Sequence, residues 1–328
     1  MISQSQFKPP FWLSNNHLQT LLASFIGRNS SVTTHRERVE LADGDFLDID
    51  WLNHDTAEDC PTVIILHGLE GSIKSSYIQG LLSYFQHTSW RIGVMHFRGC
   101  SGEMNRYARS YHSGDTQDLH HVVKTLSKKG PISLVGFSLG GNVLLKYLGE
   151  QGAKSMVSSA VAVSVPFSLA NAAERLDFGF SKLYRYNLMN DLKQKAKLKK
   201  AKHPEGKWPT DAELDSYRSF IEFDHGITAP LHGFESGQDY YDKCSCKQFL
   251  KSITTPTLII HALDDPFMTE QAVPSELELS DAVELELSAT GGHVGFLAVK
   301  GLFGVRRYLD ARIPSWLETQ LDVYVKPS

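Results

Sequence analysis

The sequence predicts an α/β fold: a mostly parallel sheet with antiparallel strands at its N-terminal side, helices on both faces and a helical lid insertion. Three observations carry this. From residue 62 onward, short β-branched or apolar runs alternate with longer amphipathic segments, the pattern of a parallel sheet wound with helices. Ahead of them, two strand-like runs flank Ala42-Asp43-Gly44-Asp45, and Asp-Gly suits a tight hairpin turn. Between residues 165 and 251 the alternation stops, leaving helical patterns, a lysine-rich run and an aromatic, polar stretch without a convincing buried strand.

In chain order, residues 36–41 and 46–51 form the antiparallel hairpin. Parallel strands are expected at 62–66, 92–97, 132–137, 158–163, 257–261 and 283–287, with helices at 76–87, 115–128 and 139–149, where apolar residues recur three or four apart. A last amphipathic segment, 303–321, contains Pro314, so two helices or one broken helix are expected there. The chain then divides into a first part of the core (1–164), a helical lid (165–251) and a second part of the core (252–328), with no internal repeat.

The 328 residues are 41% hydrophobic, enough to bury a substantial core without disulfides. Lys+Arg 33 against Asp+Glu 37 leaves a formal net charge of -4, so no basic field invites nucleic acid. The longest apolar stretches, such as 63–66 and 160–165, are far shorter than the roughly 20 residues of a membrane span. The N-terminal residues show no basic region followed by an apolar one, and a cytoplasmic location is the expectation. Four cysteines (Cys60, Cys100, Cys244 and Cys246) are too few for a disulfide framework, and the Cys244/Cys246 pair has no second pair to complete a zinc site. They read as reduced thiols, and neither metal nor cofactor is implied.

Chemistry concentrates at Gly136-Phe137-Ser138-Leu139-Gly140, a GxSxG pattern. Chance alone supplies roughly 0.2 such matches in a chain of this composition, so context decides. A buried strand runs into the motif and a helix runs out of it, as a nucleophile elbow requires, with glycines clearing the flanks of a strained serine. Serine is a weak nucleophile near neutral pH and needs a histidine base and an acid that orients it, following in the order Ser, Asp, His. The strand at 257–261 leads into Ala262-Leu263-Asp264-Asp265-Pro266, placing two carboxylates where open α/β sheets build sites. After the strand at 283–287 comes Ala289-Thr290-Gly291-Gly292-His293-Val294-Gly295, which brings His293, one of 14 histidines, to the position of a third partner. Two N–H donors must then face the developing oxyanion: Leu139, after the serine, and Leu69, in the loop His67-Gly68-Leu69-Glu70-Gly71 after the strand at 62–66. His67 reads as a local hydrogen-bonding residue that holds this loop rather than as a rival base.

At this point the chain resembles the α/β-hydrolase superfamily and, within it, the YheT-like esterase group. The resemblance rests on Asn-Asn-His-Leu-Gln-Thr-Leu (15–21), Asp-Gly-Asp-Phe-Leu-Asp-Ile-Asp-Trp (43–51), His-Gly-Leu-Glu-Gly (67–71), Phe-Arg-Gly-Cys-Ser-Gly (97–102), Gly-Phe-Ser-Leu-Gly-Gly-Asn (136–142), Ala-Leu-Asp-Asp-Pro-Phe (262–267), Gly-Gly-His-Val-Gly-Phe (291–296) and Arg-Ile-Pro-Ser-Trp-Leu (312–317). It spans nearly the whole chain. It implies an α/β-hydrolase fold, a Ser138, Asp265, His293 triad and activity on carboxylic esters, with relatives that act on acylglycerols or phospholipid acyl chains. The family pattern, with the acid directly before Pro-Phe, selects Asp265 over Asp264.

Three weaker features complete the reading. Arg98 is expected to hold a turn by pairing with a carboxylate, the other reading being contact with substrate. Lys193, Lys195, Lys197, Lys199, Lys200 and Lys202 crowd one helical stretch, a solvated face or, failing that, a weak electrostatic contact with anionic membrane. Phe223, Phe234, Tyr240 and Tyr241 are expected to pack the lid on the core, with an acyl-pocket wall as the alternative. The expected activity is hydrolysis of short- to medium-chain acyl esters or acylglycerol-like lipids, the partner being a small-molecule acyl ester. The same triad would serve an acyltransferase or a thioesterase, and a catalytically silent binding protein is the reading from another class.

Overall fold

Short runs of β-branched and aliphatic residues flanked by glycine turns assemble one nine-stranded sheet in the computed structural model, which describes residues 1–26, 32–57, 59–301 and 304–325. The chain begins with β1 (Ile2–Gln4) and α1 (Asn16–Phe25), followed by the hairpin β2 (His35–Glu40) and β3 (Phe46–Leu52). Then come β4 (Thr62–Leu66), α2 (Ser76–Phe85), β5 (Arg91–Met95), α3 (Gln117–Leu126), β6 (Ile132–Phe137), α4 (Leu139–Gln151) and β7 (Ser159–Val163). The sheet order is β1-β9-β8-β7-β6-β4-β5-β3-β2, where β8 is Thr257–Ala262 and β9 is Val283–Ser288. Pairing is parallel from β1 through to β5, β2 pairs antiparallel with β3 as the hairpin predicted, and β3 joins β5 antiparallel. The expected strands, and the helices expected at 76–87, 115–128 and 139–149, are all present, with ends shifted by one or two residues.

The central strands β4, β6 and β7 are buried along their whole length because helices cover both faces. One apolar layer gathers α3 and α4 (Leu119, Val143, Leu144, Leu148); the other gathers α2 and the C-terminal helix (Ile78, Leu82, Ile313, Leu317).

Between β7 and β8 only helices and turns occur: α5 (Leu169–Arg175), α6 (Ser181–Lys202), α7 (Asp211–Ser216), α8 (Phe220–Phe223), α9 (Ala229–His232) and α10 (Gly237–Cys244), with short 3₁₀ and π turns. All four cysteines are free thiols. Among the described residues, no helix is long and apolar enough to cross a membrane.

Two features differ from expectation. β1, whose three residues pair in register with Leu285, Glu286 and Leu287 of β9, extends the sheet edge without any hydrophobic pattern that announces it. The segment 303–321 is not wholly helical: β10 (Leu297–Lys300) pairs antiparallel with β11 (Gly304–Arg307), and α11 (Leu309–Val325) then runs unbroken through Pro314; Phe303 lies outside the described residues. Pro314 is the sixth residue of that helix, so it removes one bond near the start. The stripe Leu309, Ile313, Leu317 and Leu321, all buried at four-residue spacing, holds the helix on the sheet regardless. Truncating that stripe by Leu317→Ala is expected to cost about 2–5 kcal/mol, read in chemical denaturation as a lowered midpoint at unchanged slope.

Candidate active site

Ser138 sits between the last residue of β6 and the first of α4, at φ 50° and ψ -119°. A non-glycine residue held at positive φ costs of order 1–3 kcal/mol and persists only where its surroundings enforce it. Here they do. The Ser138 N–H donates to the Val163 carbonyl at 2.9 Å, and the flanking glycines permit a contact no side chain would. A Cβ on Gly136 would stand 2.6 Å from the Gly140 carbonyl oxygen, and one on Gly140 would stand 2.5 Å from that of His67.

The loop after β9 brings His293 to this turn, 155 residues along the chain, where its Nε2 lies 2.9 Å from Ser138 Oγ. Its Nδ1 is 2.8 Å from Asp265 Oδ2. An ionised carboxylate only accepts, so Nδ1 carries the proton, and in the neutral ring Nε2 is left to accept from the serine hydroxyl. Asp265 is buried, its other oxygen accepts the Phe267 N–H at 2.8 Å, and the Phe267 ring stacks on the imidazole at 3.9 Å. The neighbouring carboxylate takes a different place. Asp264 Oδ1 accepts the Gly292 N–H at 2.9 Å, gripping the backbone of the histidine loop instead of the ring, and burial pushes its carboxyl up to about 6.

Leu69 and Leu139, the two residues expected to supply amide donors, both line the cavity beside Ser138 and His293. In the stretch from Gly68 to Gly71, Gly68 N–H donates to Tyr77 Oη, Glu70 N–H to Tyr111 Oη and Gly71 N–H to the Gly68 carbonyl. Among the described residues no bond engages the Leu69 N–H, nor the Leu139 N–H at the positive end of α4. Gly68 packs directly on the serine, an added Cβ falling 3.4 Å from Ser138 Cβ. His67 is a local clamp: its Nε2 accepts the Phe97 N–H at 3.1 Å, which fixes the proton on Nδ1 for donation to the Gly68 carbonyl at 2.7 Å. Burial pulls its pKa down to about 3, so the ring stays neutral in that clamp.

Residues that sequence reasoning missed come from α1. Thr20 Oγ1 accepts the His293 N–H at 2.9 Å and donates to the Asn16 carbonyl at 2.8 Å, while Asn16 Nδ2 donates to the Asp264 carbonyl at 2.5 Å. Gln19, fully buried, donates to the Leu13 and Leu297 carbonyls and accepts the Leu297 N–H at 2.7 Å. The signal was the polar stretch Asn15 to Thr20, but the contacts of Asn16, Gln19 and Thr20 with the histidine loop and its supports reach more than 240 residues along the chain and leave no local trace.

Ser138 and His293 open on one side into a cavity of about 170 Å³ between the core and the helical insertion, and on the other into a wider groove walled by Gly68, Ser76 and Tyr77. Phe223, Tyr240 and Tyr241 are buried in the insertion's own apolar cluster and also wall the cavity; Phe234 packs behind them. Arg98 is structural, forking onto Asp118 at 2.7 Å and reaching Asp43 and Asp45 at 2.7 and 3.0 Å.

The lysine run is not a wholly solvated face, because α6 turns two of its lysines inward. Lys195 pairs with Glu70, and Lys199, 1% exposed, donates to the Arg109 carbonyl and Ser110 Oγ. Lys193 donates to the Tyr217 carbonyl, and Lys197 and Lys200 pair with Asp215 and Asp211, all on or beside α7. Much of the positive charge is therefore satisfied within the chain rather than presented as an open patch.

Comparison with known proteins agrees with this fold. Residues 61–298 match the family described as the alpha/beta hydrolase fold. The chain is 43% identical to the Escherichia coli (strain K12) protein YheT over 98% of this chain and 95% of that one. It is 32% identical to Phospholipase ABHD3 of Mus musculus over 89% of this chain and 73% of the relative. Among solved structures, the Pyrococcus furiosus esterase Pf2001 superposes with a TM-score of 0.57 at 19% identity, covering 97% of this chain and 99% of that one. The serine turn, the sheet order and these matches together establish that the chain belongs to the α/β-hydrolase fold family.

Proposed function

We propose that the protein hydrolyses carboxylic esters through an acyl-enzyme on Ser138. The observation that carries this reading is the unbroken hydrogen-bonded series Ser138, His293, Asp265 beside two amides with no partner among the described residues. In the first half-reaction Ser138 Oγ attacks the ester carbonyl while His293 Nε2 takes its proton. The Leu69 and Leu139 N–H groups receive the oxyanion, and Asp265 holds the imidazole and offsets its positive charge. Collapse of the tetrahedral adduct expels the alcohol, protonated by His293, and water repeats the cycle on the acyl group.

The same geometry supports a division of the substrate. The acyl chain enters the cavity beneath the segment 165–251, which acts as a lid, and the alcohol leaves by the groove on the far side of the serine. A void of about 170 Å³ is close to the ~150 Å³ cavity that accepts benzene, which suits short- to medium-chain acyl groups. Relatives named as phospholipase and esterase agree with acyl ester cleavage.

Ser138→Ala is expected to lose about 10⁴-fold or more in ester turnover and all labelling by a fluorophosphonate. Labelling of the Ala variant at the wild-type rate would remove Ser138 from the mechanism. Across a panel of aryl esters, kcat/KM should peak at short to medium acyl length and fall for long chains; a steady rise with length would show that the cavity does not set the limit.

The paired carboxylates separate in two measurements. Asp265→Asn should drop kcat about 10⁴-fold by stabilising the wrong imidazole tautomer. Asp264→Asn should stay within about tenfold of wild type, because an amide oxygen still accepts the Gly292 N–H. Stability distinguishes them further. The Asp264 carboxyl, raised to about 6, lets the folded state hold a proton that the unfolded chain has already released. Its stabilising share is complete below the ordinary carboxylate range and is lost as pH rises through about 6. Asp264→Asn should thus be more stable than wild type at pH 7.5, with the difference in denaturation midpoint closing toward pH 4.

A further inference from the structure

We propose that Lys195 and Glu70 form a latch through which the helical insertion sets the position of the Leu69 amide, so that the oxyanion hole is complete only when α6 is seated. This rests on the ester-hydrolase reading above and extends it to the control of that site. Neither residue touches the reacting atoms; both are positioning residues.

The latch starts at the loop after β4. Glu70 directly follows Leu69 and is held at φ 52°, a left-handed conformation that a glutamate adopts only under constraint. Its backbone N–H donates to Tyr111 Oη at 2.9 Å, and the same hydroxyl donates back to its carboxylate at 2.8 Å. That ring is in turn stacked on Phe97 at 5.1 Å. What remains of the carboxylate is taken by Lys195, whose ammonium lies 3.0 Å from each of its two oxygens. Side-chain exposures of 23% for Lys195 and 16% for Glu70 make this a largely desolvated pair, in contrast to the half-exposed Lys197–Asp215 pair on the same helix.

Lys195 belongs to the face of α6 that also presents Leu188, Leu192 and Ala196 to the cavity, so the ammonium moves with the cavity wall. It also lies 3.2 Å from Cys100 Sγ, in the loop after β5. One cation of the insertion therefore ties down the residue next to an oxyanion donor. If α6 lifts, Glu70 loses its counter-charge and the strained turn that carries the Leu69 N–H loses the one of these restraints that comes from the insertion. A seated insertion, as when an acyl chain fills the cavity, keeps the amide in place.

The test uses the full chain and a short aryl ester whose acyl group is too small to contact α6. Lys195→Met should lower kcat about 10- to 100-fold, somewhat less than removal of an oxyanion donor outright, with KM within about threefold of wild type. Affinity for an alkyl boronic acid, which forms a tetrahedral adduct on the serine, should fall in step with kcat. Lys195→Arg should restore most of both, since a guanidinium also reaches the carboxylate, and Lys197→Met should change neither. Should Lys195→Met fail to fold, the near-isosteric Glu70→Gln, which keeps the Tyr111 bond, carries the same expectations. Unchanged kcat, a rise confined to KM, or lost kcat with undiminished boronate affinity would overturn the latch. A wild-type protein that neither turns over the ester nor binds the boronate would overturn the hydrolase reading itself, and the latch with it.

Discussion

The strained turn at Ser138 is the constraint on which the rest of the site depends. A residue at positive φ between a buried strand and a buried helix can be held only if the chain on both sides comes closer than side chains allow, and Gly136 and Gly140 supply that approach. The same contact brings the His67 carbonyl against Gly140 and Gly68 against the serine, so the turn and the loop carrying Leu69 pack as one unit. Ser138 and the backbone around Leu69 and Leu139 are thus fixed relative to each other by packing in the middle of the sheet. Preorganisation of this kind lets donors aim at where charge develops without moving when it does.

The histidine arrives on a less secure element, and the fold compensates. Val294 and Phe296 are also at positive φ, 54° and 44°, which is unusual for a β-branched and an aromatic residue. The loop holds this shape because its amides are individually anchored: Gly292 to Asp264, His293 to Thr20, Val294 to Ser164. Two of these anchors trace to α1, since Asn16 supports Asp264 from behind and Thr20 bonds the loop directly. The N-terminal segment is therefore part of what aims the imidazole.

What could be read from the sequence follows from how local each signal is. The strand Thr62–Leu66 and the strand–serine–helix unit around Ser138 are contiguous patterns and were legible. The Asp-Gly hairpin was legible for the same reason. Asp264 and Asp265 were not separable by residue pattern, because both lie in the turn after β8 and only the tertiary course of the histidine loop brings one to the ring and the other to the backbone. β1 escaped notice because a three-residue edge strand is specified by backbone bonds to β9 rather than by apolar spacing. In α6 the apolar period fails toward the C-terminal end: Leu198 is 63% exposed while Lys199 is buried, so a helix satisfied there by ion pairs and carbonyls reads as a solvated one. Asn16, Gln19 and Thr20 were visible as a polar cluster, but their role exists only in contacts across the whole chain.

The insertion and the core thus meet at a place where electrostatics and backbone geometry are shared, with apolar helices roofing the cavity and a lysine reaching the loop beneath. The central claim, that Ser138 becomes acylated during turnover, is tested most directly by quenching the enzyme in the first turnovers of a slowly deacylating aryl ester and mapping the adduct by peptide mass spectrometry. One acyl group on the peptide containing Ser138, formed no more slowly than product is released, is the predicted result. An acyl group on another side chain, or turnover with no covalent adduct under conditions where deacylation limits the rate, would contradict it.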